Sequence, residues 1–301
     1  MMRWLFGFGS PVTMGVTRAL TGFLALVNYL MLSVSYDSWF TESGFYPVRF
    51  SERWSQGIPR INLLAGITDE PTTMLVFWLG AVAAVFVCVG LFTRVSSIAL
   101  FVLVVTLHHR CPDILHSGDT LMRQLLFFVM IGPSGAAFSL DRLIGLRRGT
   151  APPGPPPVSL WPQRLLQLQV AILYFTTVWH KWGGSYWRDG TATWYVPRLE
   201  EFDRFPVPPF MDALPFVYLT TYGTLIVEFA LCTAVFVPQL RRWVLLAGVG
   251  LHAYIDYHFN IPLFGPLMVS TYVAFYEGHE IAAWWDRIKA RRGRLKERAA
   301  A

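Results

Sequence analysis

The chain has 301 residues, of which 54% are hydrophobic and 15% charged, where soluble domains carry about 25% charged residues. Its formal net charge of +6 is concentrated in the C-terminal tail. Membrane topology accounts for that excess, and a nucleic-acid partner is not expected. Three cysteines are too few for a disulfide framework, and the sequence contains no P-loop, Rossmann fingerprint, HExxH or CxxC motif.

A helix needs roughly 20 apolar residues to cross the hydrocarbon of a bilayer. Apolar runs predict spans at 14–36, 73–92, 94–109, 120–138, 163–181, 214–237, 241–258 and 261–283. The expected fold is therefore all-α, a polytopic transmembrane bundle of about eight spans. The first run is too long for a signal-peptide core and reads as a retained span. Pro11, Pro71, Pro112, Pro162, Pro215, Pro238 and Pro262 fall at or beside proposed span ends. Cys88 and Cys232 lie in apolar runs as small hydrophobes, while Cys111, at a helix end beside charges, is a candidate reactive thiol.

With the N-terminus inside, the inner segments hold fifteen basic residues and the outer loops seven, while most acids lie outside. The positive-inside rule thus favours N-in/C-in. Outer loops 37–72 and 183–213 are rich in aromatic residues. The proline-rich linker 141–161, with TAPPGPPPV, is expected to be extended and exposed. It divides a transmembrane domain of 1–283 into two four-span halves, followed by a basic cytoplasmic tail at 284–301.

Ionisable residues inside spans mark functional or structural polar sites. The candidates are Arg18, His108, His109, Asp119, Arg123, His180, Lys181, Glu228, His252 and Asp256. Running each span in its assigned direction brings most of them to the outer half of the bundle. Bland readings stand beside this one. Lys181 and Arg18 snorkel from helix ends; Asp119 and Arg123, four apart, form a structural ion pair. His252 and Asp256 share a helix face as a hydrogen-bonded pair or, less readily, as metal ligands. His108 and His109 are adjacent and point apart, so no metal site is assigned. Glu228, in mid-span, requires a partner or a proton.

The run YFTTVWHKWGGSYWRDG, beginning at Tyr174, resembles the signature of the vitamin K-dependent gamma-carboxylase membrane domain and its bacterial relatives, the HTTM-domain proteins. LHHRCPDILHSGDTLMRQLLFF followed by FSLD is similar to the HTTM pattern of Arg-x-Pro, Gly-Asp and Leu-x-Arg. EFALCTAVFVPQLRR and LLAGVGLHAYIDYHFNIPLFGPLM resemble the family's acidic and single-histidine helices. The resemblance covers about 12–283. It implies that Lys181 is the active-site base, with His180 as its basic neighbour, acting on a reduced quinone such as vitamin K hydroquinone, in a bacterial plasma membrane with the active side outward. A basic lysine must be neutral, a form that burial and a nearby cation both favour. Ser117-Gly118-Asp119 is the HTTM form at a place where the carboxylases have a histidine. With a basic tail ending at 301, the large luminal substrate-binding domain of the carboxylases is not expected.

Two functions follow from these readings. One is a membrane enzyme, a carboxylase or other quinol-linked catalyst, that takes a lipid-soluble small molecule from the bilayer. The other is a non-enzymatic scaffold or accessory subunit that binds a partner through its outer loops.

Overall fold

The structure is a computed structural model that describes residues 2–200 and 204–300, without the side chains of Arg3 and of residues 294–300. Glu201, Asp203 and the side chains of the expected basic tail from 294 onward therefore lie outside the described residues. In chain order the principal helices are α1 (Val12–Ser33), α2 (Glu70–Val89), α3 (Thr93–Arg110), α4 (Ser117–Ile131) and α5 (Leu140–Arg147). They continue with α6 (Trp161–Gly183), α7 (Leu214–Cys232), α8 (Pro238–His258), α9 (Phe264–Thr271) and α10 (Gly278–Ala300). Among the described residues the strands are two residues long: β1 (Phe8–Gly9) pairs antiparallel with β2 (Val158–Ser159).

Prolines set many of these starts. Pro71, Pro215 and Pro238 lie in the first two positions of α2, α7 and α8, where the missing N–H leaves no hydrogen bond unmade. Asp69 caps α2 by accepting from Thr72 N at 2.9 Å. Gly90 ends it at φ +70°, a left-handed conformation that glycine adopts without penalty.

Among the described residues, three helices are long and apolar enough to cross a membrane: α1, α2 and α7. Their outward faces carry exposed Phe23, Leu30, Leu75, Trp78, Leu79, Leu219, Ile226 and Phe229. Apolar side chains spread over whole helix faces suit lipid rather than water. Helices α3, α6 and α8, of 18, 23 and 21 residues, have comparable length but carry the polar groups considered below. Two expected spans come out shorter. Helix α4 stops at Ile131, ahead of Gly132-Pro133. The run at 261–283 is not one helix: α9 tightens into a 3-10 turn at Tyr272–Phe275, and α10 begins separately at Gly278. The start of the linker at 141–161 is also helical, because Ser139 caps α5 by accepting from Arg142 N at 3.0 Å.

Contacts divide the chain into two compact units, one of residues 1–114, 123–164 and 276–301, the other of 115–122 and 165–275. Helix α10 belongs to the first unit.

In the first unit α1 and α2 approach closely. A Cβ on Gly22 would press on the backbone N of Cys88 and stand 2.8 Å from its Cα. Small residues permit this approach in membrane helices. Tyr29, 1% exposed, meets Phe77 edge-to-face at 5.2 Å. The turn from α2 to α3 is clamped by Asp141, whose carboxylate accepts from Phe92 N at 2.8 Å and Thr93 N at 2.7 Å.

In the second unit α8 packs on the segment of α9 and its following turn. A Cβ on Gly248 would lie 2.5 Å from Tyr272 Oη. Arg241 donates to Phe275 O at 2.9 Å and fixes the end of that segment.

Candidate functional site

The second unit holds a buried polar seam. Helix α6 carries Gln167, Tyr174 and Lys181 seven residues apart, with Thr177 between the last two. A spacing of seven returns each side chain to nearly the same face, so one line of α6 faces the protein. Helix α7 presents Val217, Thr221, Thr224, Glu228 and Leu231 at the same three-and-four spacing, all buried.

Where the two lines meet, Lys181 Nζ donates to Glu228 Oε1. Thr177 Oγ1 donates to Glu228 Oε2 at 3.2 Å. The Glu228 side chain is 6% exposed and that of Lys181 23%. A carboxylate at that depth needs compensation, and α6 supplies it. One stretch back along α6, Tyr174 Oη lies 2.8 Å from His252 Nε2 and 2.7 Å from Tyr272 Oη. Gln167 Nε2 donates to Ala274 O at 2.7 Å. Tyr174, His252 and Tyr272 are at most 4% exposed.

Lys181 also borders a cavity of about 210 Å³. Its walls are Val196, Pro197, Leu251, Ile255, Phe259 and Ile261, with Trp187 and the polar Thr193, Thr224 and Tyr254. Trp187 sits with its ring centroid 5.1 Å from Lys181 Nζ, a cation–π contact. Thr193 anchors this wall to α7 by hydroxyl contacts to Thr221 at 2.7 Å and Thr220 at 2.8 Å.

Several sequence expectations change in this geometry. His180, one residue from Lys181 and hence about 100° around the helix, is exposed; the ionisable neighbour of Lys181 is Glu228. The expected His252–Asp256 pair does not form, because His252 bonds Tyr174 while Asp256 accepts from the backbone of Gly265 on α9. Gly265 leaves no room for a side chain beside that carboxylate. Among the described residues no cluster of three or more His, Cys, Asp or Glu is placed to hold a metal. Asp119 accepts from His116 N at 2.9 Å and lies 3.4 Å from His116 Nε2, so it closes the start of α4.

The remaining candidates belong to the first unit. His108 is buried, whereas His109 turns the other way, its Nδ1 2.7 Å from Ile61 O. Arg123 lies on α4 in the same unit. Arg18 does not snorkel. It is fully buried and donates to Ser134 O at 3.2 Å, to Cys88 O at 2.9 Å, and to Val87 O and Phe138 O. Val87 O also accepts from Gly90 N at 3.2 Å, and both α2 carbonyls lie at the negative end of the helix dipole, where a cation is favoured. Arg110, 1% exposed, pins the loop between α1 and α2 by donating to Tyr46 O at 2.7 Å and Phe40 O at 3.2 Å. Cys111 is buried, and burial pushes its thiol up to about 11, which removes it as a reactive group.

An all-helical fold with membrane-length apolar helices, and a polar seam buried within one unit, defines a multi-pass membrane protein. The chain belongs to the HTTM-domain family, whose domain matches residues 10–279. It is 27% identical over 117 residues to the uncharacterized protein YitO of Bacillus subtilis (strain 168), across 37% of this chain and 38% of that protein. The similarity thus spans well under half of the relative's length. No solved structure matches the chain.

Proposed function

We infer that the chain crosses the membrane about eight times with both termini cytoplasmic, and that its second unit is a membrane enzyme with Lys181 as its base. The substrate class is a lipid-soluble molecule such as a reduced quinone, taken up on the outer side. One observation carries the reading: a lysine at the edge of an apolar cavity, hydrogen-bonded to a buried carboxylate. The resemblance of the segment from Tyr174 to the gamma-carboxylase membrane domain points the same way. The span count rests on helix length for α1, α2, α3, α6, α7 and α8, and on apolar sequence for the shorter α4 and α9.

The residues fit such a group. A cavity of about 210 Å³ is smaller than the roughly 300–1,000 Å³ of drug-sized sites, so it takes a ring while a lipid tail extends beyond it. A bound reduced quinone supplies an acidic hydroxyl and reducing equivalents. The part of this chain is proton handling. An ammonium has no lone pair, so Lys181 first passes a proton to Glu228 Oε1, to which it is already hydrogen-bonded. The pair is neutral overall before and after that transfer, which matters where added charge is costly. The free amine then accepts a proton from the substrate hydroxyl at Nζ. Trp187, Val196 and Pro197 line the cavity beside Lys181, and a ring seated against them would leave little room for water at that nitrogen.

A second reading is favoured by the same ion pair: it ties α6 to α7, as a scaffold would require, with loops 37–72 and 183–213 as the partner surface. Lipid extracts of protein purified in mild detergent, with the Lys181→Met/Glu228→Met double variant alongside, separate the two. The enzyme reading expects a quinone to copurify with the wild type, and expects the double variant to fold without it. A double variant that retains the quinone and supports growth as the wild type does would leave the scaffold reading standing.

A further inference from the structure

The first unit contains a second cavity, of about 340 Å³, within the size range of small-molecule sites. It is built by the loop between α1 and α2 and by the turn that follows α3. Its lining is Phe45, Tyr46, Phe50, Arg53, Trp54 and Asp113: four aromatic rings, one guanidinium and one carboxylate. Arg110 holds it in shape from below by its bonds to Tyr46 O and Phe40 O.

The aromatic rings here already attract cations. Arg60 lies 3.7 Å from the ring centroid of Trp54, and Arg49 lies 5.2 Å from that of Phe50. Arg60 Nε is buried without a hydrogen-bond partner. Arg49, Arg53 and Arg60 form no ion pair with an acid among the described residues. Phe45, Phe50 and Trp54 of the lining are exposed, as are Ile58, Ile61 and Leu63 of the same loop. Exposed aromatic and aliphatic groups beside arginines mark the headgroup level of a bilayer.

We propose that this cavity binds the headgroup of a zwitterionic phospholipid, one that joins a phosphate to an amine. A guanidinium recognises a phosphate through paired, charge-assisted hydrogen bonds. An ammonium is attracted both to a carboxylate and to aromatic faces. Arg53 and Asp113, on opposite sequence arms of one aromatic-walled cavity, offer both halves of that recognition. The exposed aliphatic residues of this loop favour an intact lipid over the free headgroup, because acyl chains add buried apolar area outside the cavity. The assignment does not depend on the chemistry of Lys181.

Native mass spectrometry of the purified full-length protein tests it, with phosphatidylethanolamine, phosphatidylglycerol and O-phosphoethanolamine as probes. The wild type is expected to retain phosphatidylethanolamine about tenfold more tightly than phosphatidylglycerol. Asp113→Asn abolishes that preference while keeping phosphate-dependent binding, and Arg53→Gln weakens both lipids. O-phosphoethanolamine alone is held weakly. Both side chains are exposed, so thermal melting confirms that the variants fold. Equal retention of the two lipids by the wild type, or a preference unchanged in Asp113→Asn, overturns the proposal. Binding of O-phosphoethanolamine as tight as that of the lipid overturns its lipid-specific part.

Discussion

Replacing Arg18 with methionine removes a cation that holds together the end of α2, the loop at 132–139 and α1. The guanidinium satisfies the carbonyls of Val87, Cys88, Ser134 and Phe138. Val87 O still accepts from Gly90 N at 3.2 Å, but the other three acceptors are left without a donor, and at about 1.3 kcal/mol each they give about 4 kcal/mol. Removing a buried charge also relieves its desolvation, which offsets part of that sum. The expected net loss is about 3 kcal/mol, or a fall in Tm of roughly 6–12 °C at 2–4 °C per kcal/mol. Arg18→Lys recovers less than half of the loss, because an ammonium lacks the planar array of donors that reaches separated carbonyls. Thermal unfolding of the purified protein in detergent, followed by tryptophan fluorescence, measures both variants. A methionine variant that melts within about 2 °C of the wild type would refute the reasoning, since such a shift corresponds to about 1 kcal/mol or less.

Gly22→Leu places its Cβ against the backbone of Cys88, which cannot swing aside as a side chain does; a loss of at least about 2–3 kcal/mol is expected in the same melt, and near-wild-type stability would show that α1 and α2 do not meet this closely. The Cys111 thiol, raised by burial to about 11, is ionised to about one part in ten thousand at pH 7. Iodoacetamide should therefore spare it at neutral pH, with labelling rising about tenfold per pH unit towards that value. Mass spectrometry that finds Cys111 fully alkylated at pH 7 in folded protein would contradict its burial.

The helical class, the approximate positions of the long apolar helices and the ionisable residues within them are legible in the amino-acid order alone. Hydrocarbon-length runs and terminal prolines are local properties, and α1, α2 and α7 follow from them. The motif from Tyr174 singled out Lys181, and a mid-span Glu228 announced the need for a partner. Neither local pattern could name one as the partner of the other. That depends on which faces of α6 and α7 meet, and only tertiary packing decides it.

A search for charged residues does not find Tyr174, Thr177, Gln167 or Tyr272, although the seven-residue spacing of Gln167, Tyr174 and Lys181 was a legible signal. Arg18 looked like a residue near a helix end that reaches for water. In the folded protein its neighbours are carbonyls from segments more than a hundred residues away at the furthest, and a guanidinium met by acceptors has no need of water. His252 and Asp256 shared a face by spacing, but neighbouring helices claimed each of them separately. Spacing along one helix decides which side chains can turn the same way; the groups brought opposite them decide what they bond.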